Sequence, residues 1–242
     1  MAIDCKHCQL RRNSFFKEMT PDELEKTQRF KSGELVVAPG TPILMEGSNA
    51  PQLYTAQRGM GLRYKVLPDG QRQVVNFIFP GDFIGLQAGM LGEMGHSVEA
   101  TTHMTLCVFD RSDFYDFFRN NTQRAFDITW LAAMEEHFLG ETLTSIGQRD
   151  AQSSMAWAFV RLFQRGDALG MVQNGQMPLP YRQQDLADAL GISLVHANKT
   201  IAKLRERQLL NWSGGRLALF DLQALADLAQ VELQEPLRRP LI

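Results

Sequence analysis

Residues 180–220 read PYRQQDLADALGISLVHANKTIAKLRERQLLNWSGGRLALF, and three units are legible in them. The spacing predicts a short helix over Gln183–Leu190 with Leu186, Ala187 and Leu190 on its inner face. Gly191 ends it, because glycine accepts the left-handed conformation that closes a helix. Ser193 then caps a second helix over about 194–207, since a serine hydroxyl accepts from the free N–H groups of the first turn. Ala197, Ile201 and Leu204 form its inner face, and His196, Asn198, Lys199, Lys203 and Arg207 its outer face. Two short helices joined by a brief glycine-containing turn make a helix-turn-helix. The next stretch, LLNWSGGRLALF, is two short apolar strands around Ser213-Gly214-Gly215, a hairpin turn signal. A helix-turn-helix followed by a hairpin is a winged helix.

A helical hairpin with no ligand is the plain alternative, and the polar outer face of the second helix counts against it. Residues near the N-terminus of such a helix reach base edges in a major groove. Asn198 and His196 have the chemistry to bond bases, and Lys199 to reach guanine or phosphate. Lys203 lies further along, suited to phosphate, and Arg216 sits beside the wing. The expected DNA-contact set is Arg182, Gln183, Ser193, Leu194, Val195, His196, Asn198, Lys199, Lys203 and Arg216.

Composition sets the limits of this reading. The chain has 242 residues, 44% of them hydrophobic and 21% charged, with net charge −2. These are ordinary values for a globular protein of one or two domains. Residues 1–150 hold 15 Lys+Arg against 19 Asp+Glu, and residues 151–242 hold 10 against 8. The C-terminal part is thus mildly basic, which is compatible with nucleic acid and does not demonstrate it. There is no run of about 18 apolar residues and no basic-then-apolar leader, so neither a membrane span nor a secretory signal is expected. Three cysteines are too few for a disulfide scaffold, and a reducing cytoplasm is the expected setting.

From residue 33 the chain is cut into short apolar strands by turn residues. GELVVA, TPILMEG, QLYTAQRG, LRYKVL and QVVNFIF are separated by Pro39-Gly40, Asn49-Ala50-Pro51 and Pro68-Asp69-Gly70, and further strands are expected at 97–102 and 104–109. Many short strands at this spacing predict a sandwich or barrel. Residues 122–148 then change to helical period. Phe126, Trp130, Met134 and Phe138 recur every four residues, and apolar residues on more than one face predict two partners for this helix. A core helix and a dimer-forming helix both satisfy that pattern. Asp150-Ala151-Gln152-Ser153-Ser154 reads as a polar joint and cap before a further helix at 154–165.

Taken in order, the PGDFIGL segment after QVVNFIF, the long helix and the winged helix with ADALGIS resemble the CRP/FNR family of bacterial transcription regulators. The resemblance covers about residues 15–230. It implies an α+β chain: an N-terminal cyclic-nucleotide-binding-type β-roll, jelly-roll-like, then a long dimerisation helix, then a C-terminal winged helix-turn-helix. On this reading 1–121 is an arm and sensor β-roll, 122–150 the dimerisation helix and hinge, and 151–242 the DNA-binding domain. It further implies a homodimer on a near-palindromic double-stranded operator, contact with RNA polymerase, and switching about the joint near Asp150–Ser154.

Departures from the family carry as much information. Members that bind cyclic AMP place Glu after the Gly of the DFIG segment and an Arg-Ser pair ten residues on. Here Gly85 is followed by Leu86 and Gln87, and the later pair is His96-Ser97. A cyclic phosphate thereby loses its bidentate partner, so cyclic AMP is not the expected ligand of this pocket. The oxygen-sensing branch spaces its cluster ligands C-x2-C-x5-C with a fourth cysteine in the β-roll. Cys5, Cys8 and Cys107 match three of these, and Ser14 stands at the third position. The ligand set for an iron–sulfur cluster is therefore incomplete, and a reversible Cys5–Cys8 disulfide or an inherited fragment without function stand beside a metal or redox sensor as readings of CKHC. In the recognition helix the family's Glu-x-x-Ser-Arg becomes Val195-His196-Ala197-Asn198-Lys199. Lysine keeps the charge without the fork, and Leu194 or Val195 suits a thymine methyl, so a different half-site is expected. No P-loop and no catalytically spaced His/Cys set is present, so an enzyme is not expected.

Overall fold

The computed structural model describes residues 4–242. The chain divides into two compact units, one of Met1–Lys65, Val75–Glu136 and Arg238–Ile242, the other of Val66–Val74 and His137–Leu237.

The first unit begins with two 3-10 turns, Cys5–His7 and Gln9–Arg12, and helix α1, Pro21–Phe30. The strands are β1 Lys31–Val37, β2 Pro42–Leu44, β3 Gln52–Arg58, β4 Gly61–Val66, β5 Arg72–Ile78 and β6 Phe83–Ile84. Helix α2, Leu86–Leu91, precedes β7 Ser97–Ala100 and β8 Met104–Asp110, followed by α3 Arg111–Asn120 and α4 Thr122–Gln148, of which the residues from His137 on belong to the second unit. They form two four-stranded sheets, β1-β8-β3-β6 and β2-β7-β4-β5. Pairing is antiparallel, with β8 central between β1 and β3. Leu44, Ala56, Ile78, Ile84, Val98, Leu106 and Val108 fill the core of this β-roll. A second, aromatic cluster joins Phe30, Phe83, Phe109, Phe114 and Phe117 to Ile128 and Leu131 of α4. Phe30 stacks on Phe117 at 4.2 Å and on Phe109 at 4.7 Å between ring centroids.

The expected strands are present, and the sequence reading passed over three helices here, α1, α2 and α3. Helix α1 carries a full capping box, Thr20 with Glu23, and Pro21 at its first position. That Thr-Pro-Asp-Glu run is a recognisable helix start. Helix α3 has no such cap bond. Residues 238–242 return to this unit: Arg239 pairs with Asp82 at 2.9 Å, Thr55 Oγ1 donates to the Ile242 carbonyl at 2.7 Å, and Arg124 Nη1 to that of Leu241 at 3.1 Å.

The second unit contains α5 Ala151–Ala168, β9 Gln176–Pro178, α6 Gln183–Leu190, α7 Leu194–Glu206, β10 Leu210–Ser213, β11 Arg216–Leu219 and α8 Leu222–Ala229. The helix expected at 154–165 starts earlier, at Ala151. Asp150 is its cap, accepting from the N–H groups of Gln152 and Ser153 at 2.9 and 2.8 Å, so the two serines lie inside the helix. Met155, Ala156, Phe159 and Val160 are fully buried. Strands β10 and β11 form the wing, with β9 added to its far edge. Trp212 Nε1 donates to the Leu179 carbonyl at 3.0 Å, which ties the wing to the segment before α6.

Candidate nucleic-acid interface

Helices α6 and α7 are joined as the sequence predicts. Gly191 closes α6 at φ +65°. Ser193 Oγ accepts from the His196 N–H at 3.2 Å and so caps α7. Ala197, Ile201 and Leu204 are completely buried. Ser193, Leu194, Val195, His196, Asn198, Lys199 and Lys203 are exposed together along the opposite face. Val195 is 64% exposed at the head of the helix. From its N-terminus this face offers the apolar methyls of Leu194 and Val195, then the imidazole of His196 and the amide of Asn198, then the ammonium groups of Lys199 and Lys203. That order matches base readout near the helix N-terminus and phosphate contact beyond it.

The flanking members of the predicted set are braced by neighbours. Arg216, at the wing, donates from Nε to Gln176 Oε1 at 3.2 Å. Gln183 is partly buried at the first position of α6. Arg182 points its guanidinium back to Asp185, Nη2 to Oδ1 at 2.9 Å, while its side chain stays 67% exposed. Asp185 is a buried carboxylate that also accepts from the Arg182 N–H at 2.8 Å and from Arg72. Burial pushes its carboxyl up, and the hydrogen bonds from Arg182 and Arg72 outweigh this and hold it below the usual carboxylate range. Arg72 also reaches Asp188 from Nε at 2.7 Å. The sequence reading missed Arg72, and no local signal marks it, because its partners lie 113 and 116 residues away.

The residues expected to line an effector pocket, Gly85, Leu86, Gln87, His96 and Ser97, lie around α2 and the start of β7. Gly85 caps α2 at φ +95°, and a Cβ there would press on Leu53 at 3.2 Å and Leu44 at 3.4 Å. Leu86 packs on the aromatic cluster. Gln87 Oε1 accepts from the Gly95 N–H at 2.9 Å, and Ser97 Oγ from the Glu46 N–H at 3.0 Å, so both brace backbone. Burial lowers the His96 imidazole to about 4, and Arg63 and Lys65 push the same way. It is therefore neutral at pH 7. Arg63, which the sequence reading passed over, pairs with Glu135 of α4 at 2.9 Å and donates to the Phe83 carbonyl at 3.0 Å. Asn76 donates to the same Glu135 oxygen at 2.8 Å.

Cys5, Cys8 and Cys107 border one cavity of about 30 Å³, together with Leu10, Met19, Lys31, Gln57, Phe109 and Ile242. Burial pushes the Cys107 thiol up to about 12 and also raises that of Cys5. Ser14 is exposed, and its carbonyl accepts from Arg238 Nε at 2.9 Å. Among the described residues no group of three or more Cys, His, Asp or Glu side chains is arranged to hold a metal ion. An iron–sulfur cluster takes a set of four thiolate ligands, and three cysteines with an exposed Ser14 in the fourth place do not make up that set.

Of the four residues expected at a dimer seam, Phe126 is 60% exposed, and Trp130 and Met134 are partly buried. Trp130 lies under the Lys17 ammonium at 5.2 Å, and Phe138 stacks on Trp157 at 6.0 Å. Positions four apart drift by about 40° per step around a helix, so the line winds inward. Leu139, Leu143 and Ile146 are the exposed apolar residues of the C-terminal half of α4.

A β-roll followed by a winged helix with an exposed polar recognition face defines a DNA-binding transcription regulator. Known proteins agree. The family model of the cyclic nucleotide-binding domain matches residues 34–121, and that of the Crp-like helix-turn-helix domain matches 155–228. The nitrogen fixation regulation protein FixK of Rhizobium meliloti is 33% identical over 186 residues, 74% of this chain and 80% of that protein. The transcriptional activatory protein AadR of Rhodopseudomonas palustris is 28% identical over 84% of each chain. The structure of FixK2 from Bradyrhizobium japonicum shares the fold with a TM-score of 0.74 at 24% identity, over 83% of this chain and 98% of that one. The chain belongs to the CRP/FNR family of bacterial transcription regulators, on its FNR-like branch. These relatives are regulators rather than enzymes. No helix among the described residues is long and apolar enough to cross a membrane.

Proposed function

We propose that the protein acts in the cytoplasm as a homodimer that binds a near-palindromic DNA operator through α7 and meets RNA polymerase there, without cyclic AMP as its effector. The single observation that carries the reading is the division of α7: Ala197, Ile201 and Leu204 are buried, and the whole candidate contact set from Ser193 to Lys203 is presented outward. A two-fold dimer places two such helices on half-sites about one helical turn apart. The exposed Phe126, Leu139, Leu143 and Ile146 of α4 supply apolar surface for the pairing.

Three features support the loss of cyclic-AMP binding. Leu86 offers no acceptor for a ribose hydroxyl. His96 is neutral at pH 7 and gives a phosphate no charge. Arg63, the cation nearest that imidazole in effect, is already paired with Glu135. Residues 1–121, 122–150 and 151–242 serve on this reading as sensor, dimer helix and DNA-binding domain.

Selection of binding sites from random DNA, followed by mobility shifts with Lys199→Ala and Asn198→Ala, tests the assignment. Each variant is expected to lose about fivefold or more in affinity for the selected site, the worth of one base contact. Unchanged binding by both would remove the α7 reading, and selection of the usual family half-site would remove the expectation of a different operator.

A further inference from the structure

The C-x-x-C at Cys5–Cys8 is a chemistry-bearing motif that DNA binding leaves unused. Cys5–His7 is a single 3-10 turn, closed by the Cys8 N–H donating to the Cys5 carbonyl at 3.3 Å. A 3-10 helix has three residues per turn and rises about 2 Å per residue, so side chains i and i+3 eclipse with Cα atoms roughly 6 Å apart. A disulfide spans Cα separations of about 4.4–6.8 Å, so the spacing of one such turn falls within that range, and closing the bond asks the turn only to bring the two Cβ atoms to about 3.5–4.5 Å. Both thiols are half-buried and border the same cavity.

The turn is also anchored through its backbone. The Cys5 N–H donates to Gln28 Oε1 of α1 at 2.6 Å, the Lys6 N–H donates to Asp4 Oδ1 at 2.8 Å, and Arg11 Nη1 donates to the Cys5 carbonyl at 3.3 Å. None of these bonds uses sulfur, so each survives when the sulfurs join. Cys107 reaches the cavity from the middle of a sheet, buried and paired on both sides through β1 and β3. The eclipsed pair within the turn is the pairing that asks nothing of the sheet.

We propose that Cys5 and Cys8 are a reversible dithiol–disulfide pair that exchanges with small disulfides of the glutathione class, while Cys107 stays a thiol. One cysteine thiolate attacks a sulfur of the small disulfide, forming a mixed disulfide and releasing one small thiol. The other cysteine attacks the protein sulfur of that mixed bond, closes Cys5–Cys8 and releases the second small thiol. The two protein thiols give up two electrons and two protons, and both pairs end on the two small thiols.

The test equilibrates the full chain in stepped ratios of reduced and oxidised glutathione, quenches in acid, alkylates the remaining thiols under denaturing conditions and maps peptides by mass. Trypsin cuts after Lys6, so the disulfide joins two separate peptides. The expected result is paired loss of alkylation at Cys5 and Cys8, appearance of the joined peptides, and alkylation of Cys107 throughout. Cys5→Ser and Cys8→Ser should instead carry one glutathione on the remaining arm cysteine. A cross-link to Cys107, independent glutathione adducts on both arm cysteines of the parent, or full alkylation at the most oxidising ratio would overturn the proposal. The peptide map of the parent decides the matter even if a variant fails to fold.

Discussion

Arg63 of β4 and Glu135 of α4 meet at 2.9 Å, with side chains 11% and 34% exposed, and so fasten the β-roll to the helix beside it. Asn76 shares the same carboxylate oxygen. Removing the arginine leaves Glu135 and the Phe83 carbonyl short of a donor. Arg63→Ala should cost about 1–3 kcal/mol, the usual penalty for stranding a buried hydrogen-bonding partner. Urea unfolding should show a lower midpoint at unchanged slope, and an unchanged midpoint would show the pair to be solvated.

His96 makes the same region sensitive to acid. Its folded value, about 4, lies below the ordinary value of 6.5 because burial and the neighbouring cations disfavour the imidazolium. A lowered value means that the unfolded chain takes up this proton first. The stabilisation is complete above about pH 6.5 and is lost as the pH falls through roughly 6.5 to 4. The loss should be on the order of 1–2 kcal/mol after solvent screening. Comparing parent and His96→Gln from pH 7 to pH 4.5 isolates it: the parent should lose more stability than the variant over that interval.

Along α7, Asn198 and Lys203 are predicted to fail in different ways. Asn198→Ala should cost about 1–3 kcal/mol on the selected site and relax the preference at one base pair. Lys203→Ala should weaken binding nearly equally on all sequences and lower the salt-dependence slope by about one. Titrations at several salt concentrations on specific and scrambled DNA separate the two.

The dimer prediction rests on α4. Leu143 is 73% exposed, so a charge there costs the isolated chain little. Leu143→Glu should shift sedimentation toward the monomer and lose operator binding, with helix content by circular dichroism unchanged. A variant that remains dimeric would place the seam elsewhere.

Arg72 braces α6 from a distance in sequence. Arg72→Ala leaves Asp185, 1% exposed, with Arg182 as its remaining guanidinium partner. A loss of about 1–3 kcal/mol is expected. It should be larger than the loss in Arg182→Ala, whose side chain is mostly exposed.

Local rules carried much of this protein. Gly191 and Ser193 stop one helix and start the next by backbone geometry and a hydroxyl, and Ala197, Ile201 and Leu204 mark the buried face by period alone. The strands around Pro68-Asp69-Gly70 and the 27 residues of α4 were equally legible, as their alternation or helical spacing is continuous. The capping box at Thr20 and Glu23 was present in the sequence and unread. What the tertiary structure decided is what depends on distant partners. Arg72 on Asp185, Arg63 on Glu135, and residues 238–242 returning to Asp82 and Thr55 have no periodic or local signature. The same holds for the cysteines. Spacing brought Cys5, Cys8 and Cys107 into one list, and folding made Cys107 a buried neutral thiol while leaving Cys5 and Cys8 eclipsed on one turn. Burial and desolvation are properties of the packed chain, so only the fold could tell a thiol held within a sheet from two thiols on one turn.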